Sequence, residues 1–206
     1  MVFKSKELKG RIMREMHRCG WAGKKNILMI NYHDTEWGVP AHDDRYLFEK
    51  LILDNAQAGL SWETILNRRE GYRKAFSNFD YEKIAKFTER KKAALMLDSG
   101  IIRNRLKIES AVKNARGYIE IIEEFGSFDK FLWDIVDGKT IKNKWKTMKD
   151  IPAQTEESEK LSKALKARGF TFVGPTICYA FMQAIGMVND HLVSCFRYKE
   201  VANGSK

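Results

Sequence analysis

The chain has 206 residues, 44% of them hydrophobic and 31% charged, with a formal net charge of +10; that is room for one well-cored domain or two small ones. No apolar run approaches the roughly 18 residues of a membrane span, and the basic start MVFKSKELKGRIMREMHR lacks the apolar core of a secretion signal. Cys19, Cys178 and Cys195, an odd number without such a signal, argue against a disulfide framework and make a reducing cytoplasm the expected setting.

Apolar residues recur at helical spacing along most of the chain, and alternating strand patterns are nearly absent, so the fold class expected is all-α. In chain order the pattern predicts helices near 43–55, 61–69, 80–86, 88–97, 103–124, 127–136, 158–168 and 174–186, with Asp80, Thr88 and Ser158 as N-caps. The polar stretch 138–157, GKTIKNKWKTMKDIPAQTEE, is the longest connection and is too poor in Gly and Ser for a free linker. The organisation expected is a basic extension over 1–18, one helical domain of two lobes over 19–198, and a tail over 199–206.

The surplus of cations points to a polyanionic partner. The segment LMLDSGIIRNRLKIESAVKNA offers a place for one. It reads as a helix, a tight turn at Ser99-Gly100 and a long second helix, with Gly100 permitting a positive φ. Arg103, Arg105 and Lys107 crowd the start of that second helix, where cations oppose the helix dipole and a negative partner would suit them. The arrangement looks like a helix-hairpin-helix DNA-binding element; a helical corner with solvated cations remains the alternative.

Four residues could hold a metal. Cys19 and His33, in CGW and NYHDTEWG, lie near the front of the chain; His191 and Cys195, at i, i+4 spacing in NDHLVSC, lie near its end. Such a pair on one helical face can bind a single ion, and the four together form a Cys2His2 set suited to tetrahedral zinc. Spacing alone does not join two halves so far apart. His17 and His42 have polar or charged neighbours and are expected at the surface.

The blocks CGW, YHDTEWGVP, QAGLSWETIL, DSGIIRNRLKI and LSKALKARGFTFVGPTICYAFMQAIGMVNDH together resemble the DNA-3-methyladenine glycosylase I family, and they span nearly everything from Cys19 to Cys195. The resemblance implies a helix-hairpin-helix glycosylase fold, one structural zinc on Cys19, His33, His191 and Cys195, and hydrolysis of the N-glycosidic bond of 3-methyladenine in alkylated double-stranded DNA. It places Tyr32 and Trp62 in the base pocket, with Trp21 and Trp37 as neighbouring aromatics, and sets Gln57-Ala58-Gly59-Leu60 as the loop that fills the vacated duplex. Gly59, Leu60, Ser99, Gly100 and Arg103 are then the expected DNA contacts, free 3-methyladenine the product, and a monomer the working unit. Such an enzyme takes the damaged base out of the stack, and electron-rich rings with one carboxylate can select its positive charge.

One departure bears on the substrate. The family usually carries Glu-Gly in the block that here reads LDNAQAGLSW, so Asp54 replaces the pocket glutamate and Asn55 the glycine. Aspartate keeps the charge on a side chain one methylene shorter. Rival expectations are therefore a glycosylase for another alkylated purine, a weakly active damage-binding protein, or a basic helical module with no base pocket. Asp190, placed where related glycosylases carry a water-activating aspartate, adjoins His191 and is expected to be structural.

Overall fold

The computed structural model describes residues 16–203. Eleven α-helices are found among them, with three short 3-10 turns besides: α1 (Ile27–Thr35), α2 (Asp44–Gln57), α3 (Trp62–Leu66), α4 (Arg69–Ala75), α5 (Tyr81–Ala85), α6 (Glu89–Leu95), α7 (Arg105–Phe125), α8 (Phe128–Trp133), α9 (Glu156–Ala167), α10 (Pro175–Ala184) and α11 (Phe196–Ala202). The all-α expectation holds. Two short strands, β1 (Ile141–Lys142) and β2 (Val188–Asn189), pair in parallel and tie the long 138–157 connection to the end of the chain. No helix among the described residues is long and apolar enough to cross a membrane.

Helix α2 runs through the centre. Every residue from Leu47 to Ala56 is buried, including Glu49, Lys50, Asp54 and Asn55, so its polar side chains must find partners or serve a site. Around it lies the main hydrophobic core, in which Phe48, Leu51, Tyr118, Phe128, Leu165 and Phe181 are almost wholly enclosed. A second cluster gathers Cys19, Met29, Tyr32, Trp37, Leu66, Leu192 and Cys195, and so joins the front of the chain to its end.

Asp80 and Thr88 cap α5 and α6 as expected, each accepting from the backbone three residues on. Ser158 does not begin α9. Thr155 caps it, and Ser158 closes the capping box by accepting from the Thr155 N–H at 2.9 Å, so the helix starts two residues earlier than expected. The tail expected from 199 is also corrected: α11 continues through Ala202, because Val201 is buried. Of the basic extension expected over 1–18, residues 1–15 lie outside the described residues.

The helix-hairpin-helix is α6, the turn through Ser99-Gly100, and α7. Gly100 is not among the positive-φ glycines; its reason is closeness. A Cβ on Gly71 would lie 2.1 Å from the Gly100 carbonyl oxygen, so two glycines let α4 and the turn touch through their backbones.

Candidate base pocket and metal centre

A cavity of about 590 Å³ opens between α1, α2, α3 and α10 and the 148–153 segment. Trp21, Tyr32, Trp37, Asp54 and Trp62 all line it, so the structure brings every expected base-pocket residue to one place. Each arrives by a different local device. Asn26 caps α1 and aims Tyr32 inward; Ser61 caps α3 and sets Trp62 at its first position. The Tyr32 and Trp62 rings stand 5.0 Å apart, and Trp21 meets Trp37 edge-on at 5.0 Å.

The cavity has chemistry left over. Asp54 Oδ2 is a buried acceptor without a partner, and Trp21 Nε1 and Trp62 Nε1 are buried donors without one. Buried polar atoms are nearly always satisfied, so these three atoms at one cavity offer a ligand one acceptor and two donors. Burial pushes the Asp54 carboxyl up to about 7, against the pull of the Lys50 ammonium.

Asp190 is saturated. Its Oδ1 accepts from Asn143 Nδ2 and Trp145 Nε1, both at 2.7 Å, and its Oδ2 from Tyr179 Oη at 2.5 Å and Gln183 Nε2 at 2.8 Å. Four donors on a fully buried carboxylate leave no lone pair aimed at water. Its work is to hold Tyr179 and Gln183, both of which line the cavity.

Beside the pocket, Cys19, His33, His191 and Cys195 converge, all buried, with their ligand atoms within 4.8 Å of one another. Cys195 Sγ lies 3.5 Å from His33 Nε2 and 3.6 Å from His191 Nδ1, and Cys19 Sγ lies 3.7 Å from His191 Nδ1. Those are tetrahedral edge lengths: Zn–S near 2.3 Å and Zn–N near 2.0 Å give a sulfur-to-nitrogen edge of roughly 3.5 Å. The far nitrogens are engaged as a metal site requires. His33 Nδ1 meets Asp34 Oδ1 at 2.7 Å, and His191 Nε2 meets the Trp37 carbonyl oxygen at 3.0 Å, which turns Nε2 of His33 and Nδ1 of His191 toward the thiols where an ion would sit; the Cys19 N–H reaches His33 Nε2 at 3.3 Å. Hydrogen bonds from the Cys19 thiol and from the two histidine rings hold the Cys195 thiol below its ordinary range, and a thiolate is the form that binds a metal. His191 to Cys195 is not helical, contrary to expectation: the segment is a turn, and Cys195 is the residue that precedes α11. Gly38, at φ +79, lies so close that a Cβ would stand 3.1 Å from the His191 ring.

His17 and His42 are exposed, as expected. At the loop after α2, Gly59 adopts φ +76 and Leu60 is exposed. Lys107 Nζ donates to the carbonyls of Ala56 and Ala58, at 2.7 and 2.8 Å, and so pins this loop to the hairpin. Lys107 is thereby occupied, and Arg105 pairs with Glu109 at 2.8 Å. The Gly100 N–H is held by Asp98 Oδ1 at 2.8 Å. Ser99 and Arg103 are exposed.

A profile of the methyladenine glycosylase family matches residues 21–198. The chain belongs to that family. It is 50% identical to the DNA-3-methyladenine glycosylase of Haemophilus influenzae over 178 residues, 86% of this chain and 96% of that one. With DNA-3-methyladenine glycosylase 1 of Escherichia coli it shares 48% over 183 residues, 89% and 97% of the two chains. A crystal structure of 3-methyladenine DNA glycosylase I superposes with a TM-score of 0.85 at 47% identity, covering 87% of this chain and 98% of that one. A second, a substituted form of 3-methyladenine DNA glycosylase I in complex with 3-methyladenine, gives 0.85 at 39% identity, with 88% and 97% covered.

For this methyladenine glycosylase, three residues of the site escape a reading of sequence. Tyr179 and Gln183 sit in the apolar run of α10 and read as core; their i, i+4 spacing was the available sign of a shared face. Lys50 is the third. A lysine inside LFEKLILDN, followed at once by Leu51, Ile52 and Leu53, signals a buried cation, but only the fold shows what it touches.

Proposed function

We propose that this chain hydrolyses the N-glycosidic bond of 3-methyladenine in alkylated DNA, turning the damaged nucleotide out of the duplex and leaving an abasic site. The observation that carries the reading is the aromatic cavity with one carboxylate oxygen and two indole N–H groups unpaired. A flipped purine supplies faces for Tyr32 and Trp62, an exocyclic amine for Asp54 and ring nitrogens for the indoles. An adenine methylated at N3 is positively charged while still attached to the sugar. When the C1′–N9 bond breaks, its electrons neutralise the ring, and water gives hydroxyl to C1′ and releases a proton. The leaving base needs no acid, so the pocket's task is to bind, orient and counter charge. Release of bases from methylated DNA, resolved by chromatography, tests this: 3-methyladenine should appear, and its retention in the DNA would overturn the reading.

Gly59 and Leu60 form the element that enters the gap left by the base, since Leu60 is an exposed apolar side chain on a pinned turn. Ser99 and Arg103 take the phosphates beside it, and Gly100, its N–H held by Asp98, shapes the turn that meets them. Each phosphate neutralised releases counterions, so binding falls with salt. Arg103→Ala should weaken binding to undamaged duplex and lower the slope of log K against log salt by about 1, without changing which base is released. An unchanged slope removes Arg103 from the interface. The Cys2His2 cluster holds one structural zinc. One copy carries every residue invoked, which suits a monomer, and three cysteines without a disulfide suit a reducing cytoplasm.

A further inference from the structure

Lys50 lies on α2 one turn before Asp54, and its side chain is wholly buried. Its ammonium makes no hydrogen bond, and Glu36 Oε2 stands off at 3.8 Å. What surrounds it is aromatic: Nζ lies 4.0 Å from the centre of the Tyr32 ring, 5.2 Å from Trp62 and 5.6 Å from Tyr46. Rings gathered about one ammonium form the kind of cage that binds a ligand cation. Here the chain fills the cage itself.

The charges around it sort into pairs. Arg69 bonds Glu36 and Glu49, from 2.5 to 2.8 Å, and Arg73 reaches Glu49 at 2.8 Å. Arg73 also pairs with the exposed Glu70 at 2.5 Å, so the arginines are taken up by three glutamates, and Asp54, one turn along α2, is the buried carboxylate left to offset Lys50. Burial lowers the Lys50 pKa to about 8, while Asp54, Glu36 and Glu49 pull it back. A buried cation held this loosely is costly, and an apolar side chain of similar volume would pack at no such cost. The charge therefore calls for a role in the site.

Tyr32 and Trp62 line the cavity, and Lys50 does not. A cation in the cavity would share both rings with the ammonium and meet a carboxylate already partly offset. A neutral purine of the same shape would feel neither effect. Resting on the base-pocket reading above, we infer that Lys50 is a specificity-determining residue, its ammonium behind Tyr32 and Trp62 reducing the pocket's preference for a cationic over a neutral alkylated purine.

The test compares two bases at pH 7 by quenching of tryptophan fluorescence: 3,9-dimethyladenine, whose ring keeps its positive charge, and 3-methyladenine, which is mostly neutral. Lys50→Met should bind the cation about tenfold tighter, and the neutral base within about twofold, where Asp54 is ionised; because the lost ammonium also raises the Asp54 carboxyl, the ratio is followed from pH 7 to pH 9. Lys50→Arg keeps a cation and should restore the wild-type ratio; Lys50→Gln is a second uncharged variant should the methionine protein fail to fold. Equal change in both bases, no change in either, or an arginine variant that behaves like methionine would overturn the inference. A wild-type protein that binds neither base would overturn the base-pocket reading, and this inference with it.

Discussion

Asp54→Asn should lower release of 3-methyladenine about ten- to hundredfold. The substitution keeps the size and an acceptor oxygen but removes the charge, so it isolates the carboxylate's electrostatic part. Losing a charge-assisted hydrogen bond in a dry pocket costs about 1.5–3 kcal/mol, which is that range of rate at 1.36 kcal/mol per decade. Asp54→Glu should keep or improve the activity, since it restores the longer carboxylate usual in the family. The pH profile gives a second reading of the same group. Burial holds the free enzyme's Asp54 at about 7, and only its ionised form counters a cationic base. As pH falls through about 7 the carboxylate takes up a proton, so kcat/KM, which reports the free enzyme, should fall by up to tenfold per pH unit below it. The asparagine variant should lose that limb. Were Asp54→Asn to release 3-methyladenine as the wild type does, the carboxylate would not be reading the base, and selectivity would rest on Tyr32, Trp62 and shape.

How legible the fold was depended on whether helices show a stripe. Helix α7 alternates buried and exposed faces over Arg105–Phe125 and is plain from its period; α6 announces itself by the Thr88 cap. Helix α1 was missed because Ile27 to Ile30 is apolar all round, with Ile27 and Leu28 exposed in the structure, so there is no polar face to set the period. Helix α4 is short and mostly charged, with only Tyr72 and Ala75 buried. The site divides the same way. Residue types named the metal ligands, and the resemblance named Tyr32 and Trp62. Pairings across the chain are a different matter: that Asp190 serves Tyr179 and Gln183, or that Lys107 holds the loop before Leu60, follows from tertiary contacts that leave no local pattern.

The base pocket and the metal cluster share a wall. Trp37 lines the cavity, meets the His191 ring edge-on at 4.7 Å, and gives its carbonyl to His191 Nε2. Trp21 follows Cys19 by two residues and meets the His33 ring at 5.3 Å. The cluster thus fixes the rear of the pocket, and the position of two indole rings depends on whether the chain ends stay joined. No residue of the cluster lines the cavity, so an ion held there would be placed to support the fold and not to act on substrate.

Cys195→Ala should therefore abolish stoichiometric zinc and lower the melting temperature sharply while leaving the identity of the released base unchanged. Four ligands from both chain ends close one long loop, the case in which a metal clip restricts the unfolded chain most, and binding to the folded site counts directly as stability. A loss of about 3 kcal/mol would be modest for such a site, and in a domain of this size it corresponds to a fall of about 6–12 °C. Chelation of the wild type should reproduce the fall, and the variant should not respond to chelator. Cys178→Ala is the control. Its thiol donates to the Val173 carbonyl at 3.4 Å within the main core, so that variant should keep its zinc and still respond to chelator. Protein with Cys195→Ala that retains one zinc per chain at unchanged melting temperature would show that the four residues are not the metal's ligands, and would leave their convergence as packing alone.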